Sequence, residues 1–599
     1  MLNEEWNMKR NKFTKRSSFL VVGLLLSAVF VALLGRMFYL MVIIGPEYKA
    51  LAVEQQTTKI EINASRGRIL DRNYNELAIN EDIYRIDLDL KTLRQSLSGS
   101  KMTISQLADK LSTILNMKSE DILKVLNTTL PDGLPANSAL LKRQIEKPVV
   151  DQIKALNIRG FVVSADAKRN YPNGNFVSSV IGLVNNGGNG VSGVELSYDK
   201  VLSGTSGSET YEKDAKNNQL PYESPKYTQP VEGKDVVLTI DSTIQQYAEQ
   251  AAQKALDDNK AKAVNIIVMN PKNGEILAMA NKPSIDNNNA SSISSSSKEA
   301  ELLWKNPSVQ DNFEPGSIFK VITAASALEN NIGINDTYSC KGSINVDGQI
   351  IHCWDLNGHG IESFGDIIKN SCNVGFAQLG SKLGKEKLVA TAKKMGFGQK
   401  TGIDLPGESS GSLRSTALIN NVDLAELSFG QGVAVNQVQY MAAFNAIADG
   451  GVWIRPHVMK DIAHVDDTSN EVVDSGYANY GKKTVYNAEL ASQLRQYLLK
   501  VVTEGAGKNA FAPGLDIAGK TGTAQVADPA TGKYAPGKYM SSFAGMAPVS
   551  DPKITVLVSV DEPSGSSYYA GDVSAPVAKV LFQEIFNYMA LKGEKNVLN

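Results

Sequence analysis

The chain has 599 residues, of which 42% are hydrophobic and 21% are charged, a composition typical of globular proteins. Its 61 basic and 63 acidic side chains nearly cancel, which excludes any composition-based argument for a nucleic-acid partner. A chain of this length exceeds one hydrophobic core of the usual size, so we expect two or more domains outside any membrane.

The N-terminal segment predicts a membrane anchor. Residues 1–17 form a basic tail, and residues 18–44 are apolar apart from Arg36, whose side chain can reach the headgroups from the outer end. About 20 apolar residues span the hydrocarbon core of a bilayer, and this segment does not end in the small-residue cleavage site of a signal peptide. Because positive residues stay in the cytoplasm, we expect a single-pass protein of the cell membrane with a cytoplasmic N-terminus and an extracytoplasmic remainder.

Residues 45–231 mix short strand and helix patterns. The stretch TTKIEINASRGRILDRNYNELAIN alternates apolar and polar residues around an NYNE turn, which predicts paired strands. Helical periodicity follows within residues 103–127, where the stretch ISQLADKLSTILN occurs. No catalytic cluster is apparent, so we interpret this region as an α+β spacer or pedestal.

Residues 232–599 show the pattern of an α/β domain. Asp241 is placed to cap a helix, and the two apolar runs of AVNIIVMNPKNGEILAMANKPS predict a hairpin. Alanine-rich helical patterns extend over residues 317–450. Strand patterns (DIAGKTGTAQVAD, MSSFAGMAP and KITVLVSVDEP) and a helix pattern (APVAKVLFQEIFNYM) follow. We therefore predict an α/β sandwich whose sheet is made from both ends of the domain, with a helical insertion between them.

The stretch NFEPGSIFKVITAASALEN places Ser317 and Lys320 about one helical turn apart. Pro315 and Gly316 predict a turn ahead of a helix, so Lys320 can lie against the Ser317 hydroxyl. A lysine can serve as the base for a serine nucleophile when desolvation lowers its pKa. The same SxxK spacing recurs at Ser98, Ser197, Ser295 and Ser550. The motif alone is therefore weak evidence, and the other interpretation is that Ser317 caps an ordinary helix and Lys320 is solvated.

Two further motifs favour the catalytic interpretation. IIKNSCNVGFAQLG supplies Ser371 and Asn373 ahead of a helix, and GKTGTAQ supplies a KTG motif within a strand. The residues of that strand motif are Lys520, Thr521, Gly522 and Thr523. Glycine fits position 522 because substrate must approach the strand backbone closely. A second KTG copy, residues 400–402, precedes a Pro/Gly loop and follows Ser371 too soon, so we predict no catalytic role for it.

In the order SxxK, SxN and KTG, the motifs resemble the signature of the penicillin-recognising serine acyltransferases. Nearly the whole chain after the anchor resembles the class B penicillin-binding proteins, which are monofunctional peptidoglycan D,D-transpeptidases. RGRILDRNYNELA, RNYPNGNFVSSVIGLV and GVSGVELSYDKVLSG look like the pedestal motifs of that family, and WKNPSVQDNFEPGSIFK matches its approach to the nucleophile. GHGIESFGDIIKNSCN and YAGDVSAPVAKVLFQEI look closer to its septal or sporulation branch.

The resemblance implies a penicillin-binding transpeptidase fold for residues 232–599, an antiparallel sheet with helices on both faces and a helical subdomain. It implies a dimerisation-like pedestal for residues 45–231. The expected partners are peptidoglycan stem peptides, β-lactam antibiotics, the membrane, a peptidoglycan glycosyltransferase and other division or morphogenesis proteins. No cofactor is expected.

The resemblance also implies residue roles. Ser317 would attack the D-Ala-D-Ala bond of a stem peptide, with Lys320 as base and Ser371 as proton relay. Asn373 would hold the substrate amide. The strand motif would bind the substrate: Lys520 and Thr523 its carboxylate, with Thr521 and Gly522 beside them. The N–H groups of Ser317 and Thr523 would form the oxyanion hole.

Three alternative functions stay open at this point. A β-lactamase would need a deacylating water and would not need an anchor and a pedestal. A D,D-carboxypeptidase would use the same residues with water as acceptor. A β-lactam sensor or a scaffold for division proteins would have lost catalysis, and the complete set of motif residues argues against that loss.

The cysteines and histidines are few. They are Cys340, Cys353, Cys372, His352, His359, His457 and His464. They form no CxxC or HExxH motif, so their spacing predicts no metal site. The INVDGQII stretch predicts a hairpin between the first two cysteines, in a compartment where disulfides persist. We hypothesise a Cys340–Cys353 disulfide with Cys372 unpaired, and the alternative is three free thiols.

Overall fold

The computed structural model describes residues 2–99, 102–212, 226–293, 297–466, 468–477, 481–528 and 531–593. The chain divides into two compact units. The first contains Met1–Ala64 and Thr205–Glu232, and the second contains Ser65–Gly204 and Gly233–Asn599.

The first unit is a long helix followed by a small sheet. The helix Leu2–Phe38 continues through a π-turn at Tyr39–Ile43 into the helix Gly45–Gln56. Its segment Phe19–Ile43 has a mean hydropathy of 2.4 and is long and apolar enough to cross a membrane. The sheet is antiparallel and consists of Thr57–Ile62, Gly207–Glu212 and Lys226–Thr228.

A seven-stranded sheet begins the second unit. In spatial order its strands are Glu471–Gly476, Met459–Val465, Asp235–Leu238, Ile69–Leu70, Glu76–Asp89 and Ser138–Ile145, with Phe161–Asn170 also paired to Glu76–Asp89. Ile69–Leu70 runs parallel to Asp235–Leu238, which lies beyond the domain boundary predicted at 231. The sheet is therefore built from both sides of that boundary.

Seven helices accompany the first part of this sheet. They are Leu90–Ser98, Ile104–Leu115, Ser119–Leu126, Lys147–Ala155, Ser178–Ile181, Gly193–Ser197 and Asp199–Leu202. The helices predicted within residues 103–127 are confirmed, and the first of them starts with a capping box formed by Thr103 and Gln106.

A five-stranded antiparallel sheet forms the centre of residues 233–599. Its strands, in spatial order, are Ile276–Lys282, Ala263–Met269, Ile554–Asp561, Tyr534–Ala547 and Ala518–Ala527. The hairpin predicted from the PKNG turn is confirmed by the first two strands. Asp241 accepts hydrogen bonds from the backbone N–H groups of Thr243 and Ile244, which confirms the predicted helix cap.

Helices cover both faces of this sheet. On one face, Ile266 and Val558 pack with the helices Ser242–Asp258 and Ser574–Leu591 in one hydrophobic core. On the other face, Ile267 belongs to a larger core shared with the helical insertion. The remaining helices are Lys298–Trp304, Pro307–Gln310, Lys320–Asn330, Phe364–Lys369, Asn373–Leu383, Lys385–Lys394, Asn421–Ser428, Gln437–Ala448 and Ala488–Thr503. The predicted α/β fold, with its helical subdomain, is confirmed.

Three short pairs of strands interrupt the described part of the insertion, which the sequence predicted as helical with loops. The paired strands are Thr337–Cys340 with Gly360–Ser363, Ser343–Val346 with Gln349–His352, and Val452–Trp453 with Lys483–Thr484. The second pair confirms the predicted DG hairpin, because Asp347 and Gly348 at its turn have φ values of 50° and 91°.

A buried ion cluster joins the three pedestal motifs. Glu195 is fully buried and accepts hydrogen bonds from Arg66 Nε and Arg169 Nε, each at 2.7 Å. Arg66 also donates to Asp199 at 2.8 Å. A carboxylate this deeply buried is stable only while its charge is paired, so the cluster fixes how the motifs meet.

We expect Glu195→Ala to lower the free energy of unfolding by about 3–5 kcal/mol, because it leaves two guanidinium groups buried beside an empty site. Thermal unfolding of the detergent-solubilised chain measures the change. Asp258→Ala is the matched control, since Asp258 pairs with Lys254 on an exposed helix surface and its loss costs about 1 kcal/mol or less. Equal losses of stability in the two variants would contradict the stabilising role of the buried ion cluster.

Candidate active site

Ser317 lies in a tight turn that precedes a helix. The turn, Gly316–Phe319, is 3-10 in type and leads into the helix Lys320–Asn330. Gly316 has a φ of 52°, and a Cβ there would lie 2.8 Å from the Ala524 Cβ, so this position requires glycine. The capping positions of turn and helix are Pro315 and Phe319, without a side-chain cap, so the interpretation of Ser317 as a helix cap is wrong.

Lys320 is buried and bonded rather than solvated. Lys320 is only 1% exposed. Its Nζ donates to Ser371 O at 2.7 Å, to Ser371 Oγ at 3.2 Å and to Asn373 Oδ1 at 2.7 Å. Burial lowers the pKa of Lys320 to about 8, against an opposing effect of the nearby Cys353, Cys372 and Glu362. A lysine of this kind can take a proton near neutral pH.

Ser371 occupies a strained turn between two helices. The helix Phe364–Lys369 ends just before it, and the helix Asn373–Leu383 begins just after it. Its φ is 55°, in the left-handed region that serine rarely adopts. Such strain is held in place by surrounding contacts and is common at functional sites. Here it turns the hydroxyl towards two lysines.

Lys520 approaches Ser371 from the sheet. It is fully buried on the strand Ala518–Ala527, and its Nζ donates to Ser371 Oγ at 2.7 Å and to Thr521 O at 2.8 Å. Burial, together with the charge of Lys320, holds the pKa of Lys520 well below its ordinary value. One hydroxyl therefore links two amines whose proton affinities are both reduced.

The rest of the KTG motif packs against the turn that carries Ser317. A Cβ on Gly522 would lie 3.1 Å from both Pro315 O and Ile318 N, so the strand backbone needs glycine to reach this turn. The sequence attributed this glycine to substrate approach, and the structure adds close packing as a reason. Thr523 Oγ1 accepts a hydrogen bond from Ala570 N at 3.0 Å.

The second KTG copy lies elsewhere, outside any strand. Thr401 donates to Glu408 Oε1 through its N–H and its hydroxyl, each at 2.6 Å, and Gly402 N donates to Glu408 Oε2 at 3.0 Å. These bonds hold a loop together, which supports the prediction that this copy is not catalytic.

Three tyrosines that the sequence did not single out lie close to the strand motif. The rings of Tyr539 and Tyr568 stack with centroids 4.1 Å apart, and those of Tyr568 and Tyr569 are 4.5 Å apart. Tyr569 directly precedes Ala570, the partner of Thr523. The consecutive tyrosines Tyr568 and Tyr569 were the available signal, but aromatic residues are more often part of the core than of a site.

The hypothesised disulfide is absent, and all three cysteines are buried free thiols. Cys340 pairs with Gly360 across a strand ladder instead of facing Cys353 across the hairpin. Cys353 and Cys372 are not bridged either, because their Sγ atoms lie 3.9 Å apart, far beyond the S–S length of about 2.05 Å in a disulfide. Together with His359 the cysteines form a cluster whose ligand atoms all lie within 4.8 Å of one another. The prediction that these residues form no metal-type cluster was wrong, because the sequence separates residues that the fold brings together.

Comparison with known proteins gives consistent matches. Residues 264–583 match the family model of the penicillin binding protein transpeptidase domain, and residues 61–238 match that of the penicillin-binding protein dimerisation domain. Stage V sporulation protein D of Bacillus subtilis is 35% identical, over 98% of this chain and 88% of its own length. Peptidoglycan D,D-transpeptidase FtsI of Buchnera aphidicola is 29% identical, over 98% of both chains. The crystal structure of penicillin binding protein 2X from Streptococcus thermophilus has a TM-score of 0.70 at 28% identity, over 89% of this chain and 81% of that chain.

We expect the rate of acylation by a fluorescent penicillin to rise as the pH increases through about 8. The pKa of Lys320 is lowered to about 8, so below this pH the amine is mostly protonated and cannot accept the proton of Ser317. Labelling reactions of the detergent-solubilised chain, quenched at successive times between about pH 6 and 9, measure the rate. A rate that is constant or falls over this range would show that Lys320 is not the base.

Proposed function

Since the chain belongs to the class B penicillin-binding proteins of the septal and sporulation branch, which are serine-type peptidoglycan D,D-transpeptidases, we propose that its acyl transfer proceeds through Ser317, Lys320 and Ser371. The observation that carries this proposal is the Ser371 hydroxyl, which receives hydrogen bonds from Lys320 and Lys520. A turn, a helix and a strand distant in sequence meet there.

Acylation begins when Ser317 Oγ attacks the carbonyl carbon of the D-Ala-D-Ala bond. Lys320 takes the hydroxyl proton as the C–O bond forms. The carbonyl oxygen becomes an oxyanion held by the N–H groups of Ser317 and Thr523. In other enzymes each such donor is worth about 3–4 kcal/mol of transition-state stabilisation.

Collapse of this intermediate breaks the peptide bond and releases D-alanine. Its amine leaves with a proton delivered by Ser371, whose hydroxyl is replenished from Lys320. Lys520 donates to the same oxygen at 2.7 Å and stabilises it as the proton leaves. The hydrogen bonds at Ser371 support this proposed proton path.

An amine from a neighbouring stem peptide then attacks the acyl-enzyme. Reversal of the same proton path returns Ser317 and completes the cross-link. β-Lactams enter the first half of this cycle and form a stable ester with Ser317, in keeping with the penicillin-binding family.

Substrate binding is assigned to the free side of the motif strand. Ala518–Ala527 is the edge strand of the five-stranded sheet, so an extended stem peptide can add to it through backbone hydrogen bonds. Thr521, Gly522 and Thr523 line this edge. Asn373 would hold the substrate amide, and Thr523 with Lys520 would attract the terminal carboxylate.

The remaining predictions on location and partners are proposals. We assign residues 1–17 to a cytoplasmic tail, 18–44 to the membrane anchor, 45–231 to a pedestal and 232–599 to an extracytoplasmic transpeptidase domain. The apolar helix supports membrane attachment. A glycosyltransferase and other division or morphogenesis proteins are the proposed partners, because cross-linking needs newly made glycan strands.

Fluorescent penicillin should label the detergent-solubilised chain, and Ser317→Ala should abolish the label because the hydroxyl that would form the ester is removed. Gel fluorescence measures the label, and mass spectrometry of the labelled peptide locates it. Ser98→Ala, at another SxxK copy, is the control and should label normally. Label that persists in Ser317→Ala, or that maps to Ser371, would overturn the assignment.

Lys520→Ala should slow acylation about a hundredfold, because the oxygen of Ser371 loses its second donor. Lys400→Ala should leave the rate within about twofold, since the second KTG copy only holds a loop. Labelling rates are compared after thermal unfolding has shown that both variants are folded. The opposite order of effects would mean that the wrong KTG motif had been chosen.

A further inference from the structure

All three cysteines of the chain and one of its four histidines meet in one place. Cys340 ends a strand, Cys353 follows a hairpin, His359 precedes the next strand, and Cys372 is the N-cap of the helix Asn373–Leu383. The cysteines are at most 3% exposed, and the His359 side chain is 10% exposed. Buried thiols are common singly, but convergence of every cysteine from separate segments indicates a shared task.

The spacing of the ligand atoms fits a tetrahedral zinc site. With Zn–S distances of about 2.3 Å and Zn–N distances of about 2.0 Å, tetrahedral angles separate two sulfurs by about 3.8 Å and a sulfur from a nitrogen by about 3.5 Å. Cys353 Sγ lies 3.9 Å from Cys372 Sγ and 3.6 Å from His359 Nδ1. These two distances are close to those of a tetrahedral zinc site, and all four ligand atoms lie within 4.8 Å of one another.

The polar groups around the cluster give an independent reason for a cation. His359 Nε2 is buried without a hydrogen-bond partner among the residues that the structure describes. Glu362 is only 2% exposed, and its Oε2 lies 4.0 Å from His359 Nδ1. Asn370 holds the other carboxylate oxygen at 3.0 Å. Glu362 Oε2 is also buried without a hydrogen-bond partner in the described part of the chain, and a cation beside it would offset the buried negative charge.

We propose that Cys340, Cys353, His359 and Cys372 bind one zinc ion. Three thiolates and one imidazole favour zinc over the harder cations, and four protein ligands make a closed, structural site. On binding, each thiol loses its proton to solvent and forms a Zn–S bond, while the neutral imidazole forms a Zn–N bond.

The zinc site acts on the catalytic residues through the chain. Cys372 lies between Ser371 and Asn373, so a Zn–S bond at its sulfur restrains the strained turn at Ser371. Asn373 Nδ2 also donates to His352 O at 3.2 Å, next to Cys353. Zinc therefore positions the residues of the SxN motif. This role rests on the proposed function of Ser371.

The test uses the full-length chain in detergent, purified without a polyhistidine tag. Elemental analysis should find about one zinc ion per chain. After removal by a chelator, cobalt(II) should restore thiolate-to-cobalt charge-transfer bands and the strong visible bands of a tetrahedral site. Absence of stoichiometric zinc together with absence of these bands would overturn the proposal, as would a disulfide found by peptide mapping of the unreduced chain.

Variants separate the metal site from general folding. Cys340→Ser and His359→Asn should each lower the zinc content well below one ion per chain, because each removes one of the four proposed ligands. His464→Asn is the matched control, because His464 pairs with Asp474 on an exposed strand, and it should keep zinc. Unchanged zinc content in both ligand variants would contradict the proposal that Cys340 and His359 bind zinc. If the ligand variants fail to fold, the cobalt spectrum of the unmodified chain still shows whether the cluster binds a metal in tetrahedral geometry.

The metal and the acyl transfer can fail separately. Ser317→Ala should bind zinc normally while losing the penicillin label. Removal of zinc from the unmodified chain should slow labelling about tenfold or more, and added zinc should restore it. A labelling rate that does not change with zinc would overturn the positioning role.

Discussion

The Ser371 hydroxyl accepts hydrogen bonds from two buried lysine amines, and the proposed catalytic centre depends on this interaction. Amines leave water at a high energetic cost unless their hydrogen bonds are replaced. Lys320 comes from the helix after Ser317, Lys520 comes from the edge strand, and Ser371 comes from a turn between helices. Because each amine needs this hydroxyl, the three elements are fixed relative to one another, and the tight glycine contacts at positions 316 and 522 follow from that closeness.

The charge state of the pair explains why the site needs so much structure around it. Burial lowers the pKa of both lysines, and the positive charge of Lys320 lowers the pKa of Lys520 further. Each amine therefore gives up a proton more readily than an exposed lysine does. A surface lysine pair could not do this, since water would keep both amines charged.

Local signals in the sequence predicted many of the elements and indicated the residues that we propose as catalytic. The PKNG hairpin, the Asp241 cap and the DG turn each depend on neighbouring residues, and all were confirmed. The order of SxxK, SxN and KTG indicated residues that the structure brings together. Pairings distant in sequence could not be predicted: Ile69–Leu70 beside Asp235–Leu238, and Cys340 beside Gly360. The cysteine cluster was missed for the same reason, because metal motifs are recognised by short spacings and this one uses long ones.

The seven-stranded sheet has a consequence for how this gene can change. Three of its strands come from residues 235–476 and four from residues 69–170, and they meet where Ile69–Leu70 pairs with Asp235–Leu238, so neither part has the complete sheet alone. A recombination event that exchanged only the pedestal would bring in strand edges that do not match those left behind. Unpaired edges favour aggregation, and such hybrids would be removed by selection. The two parts are therefore expected to be inherited together, with exchange confined to segments outside the sheet such as the membrane anchor.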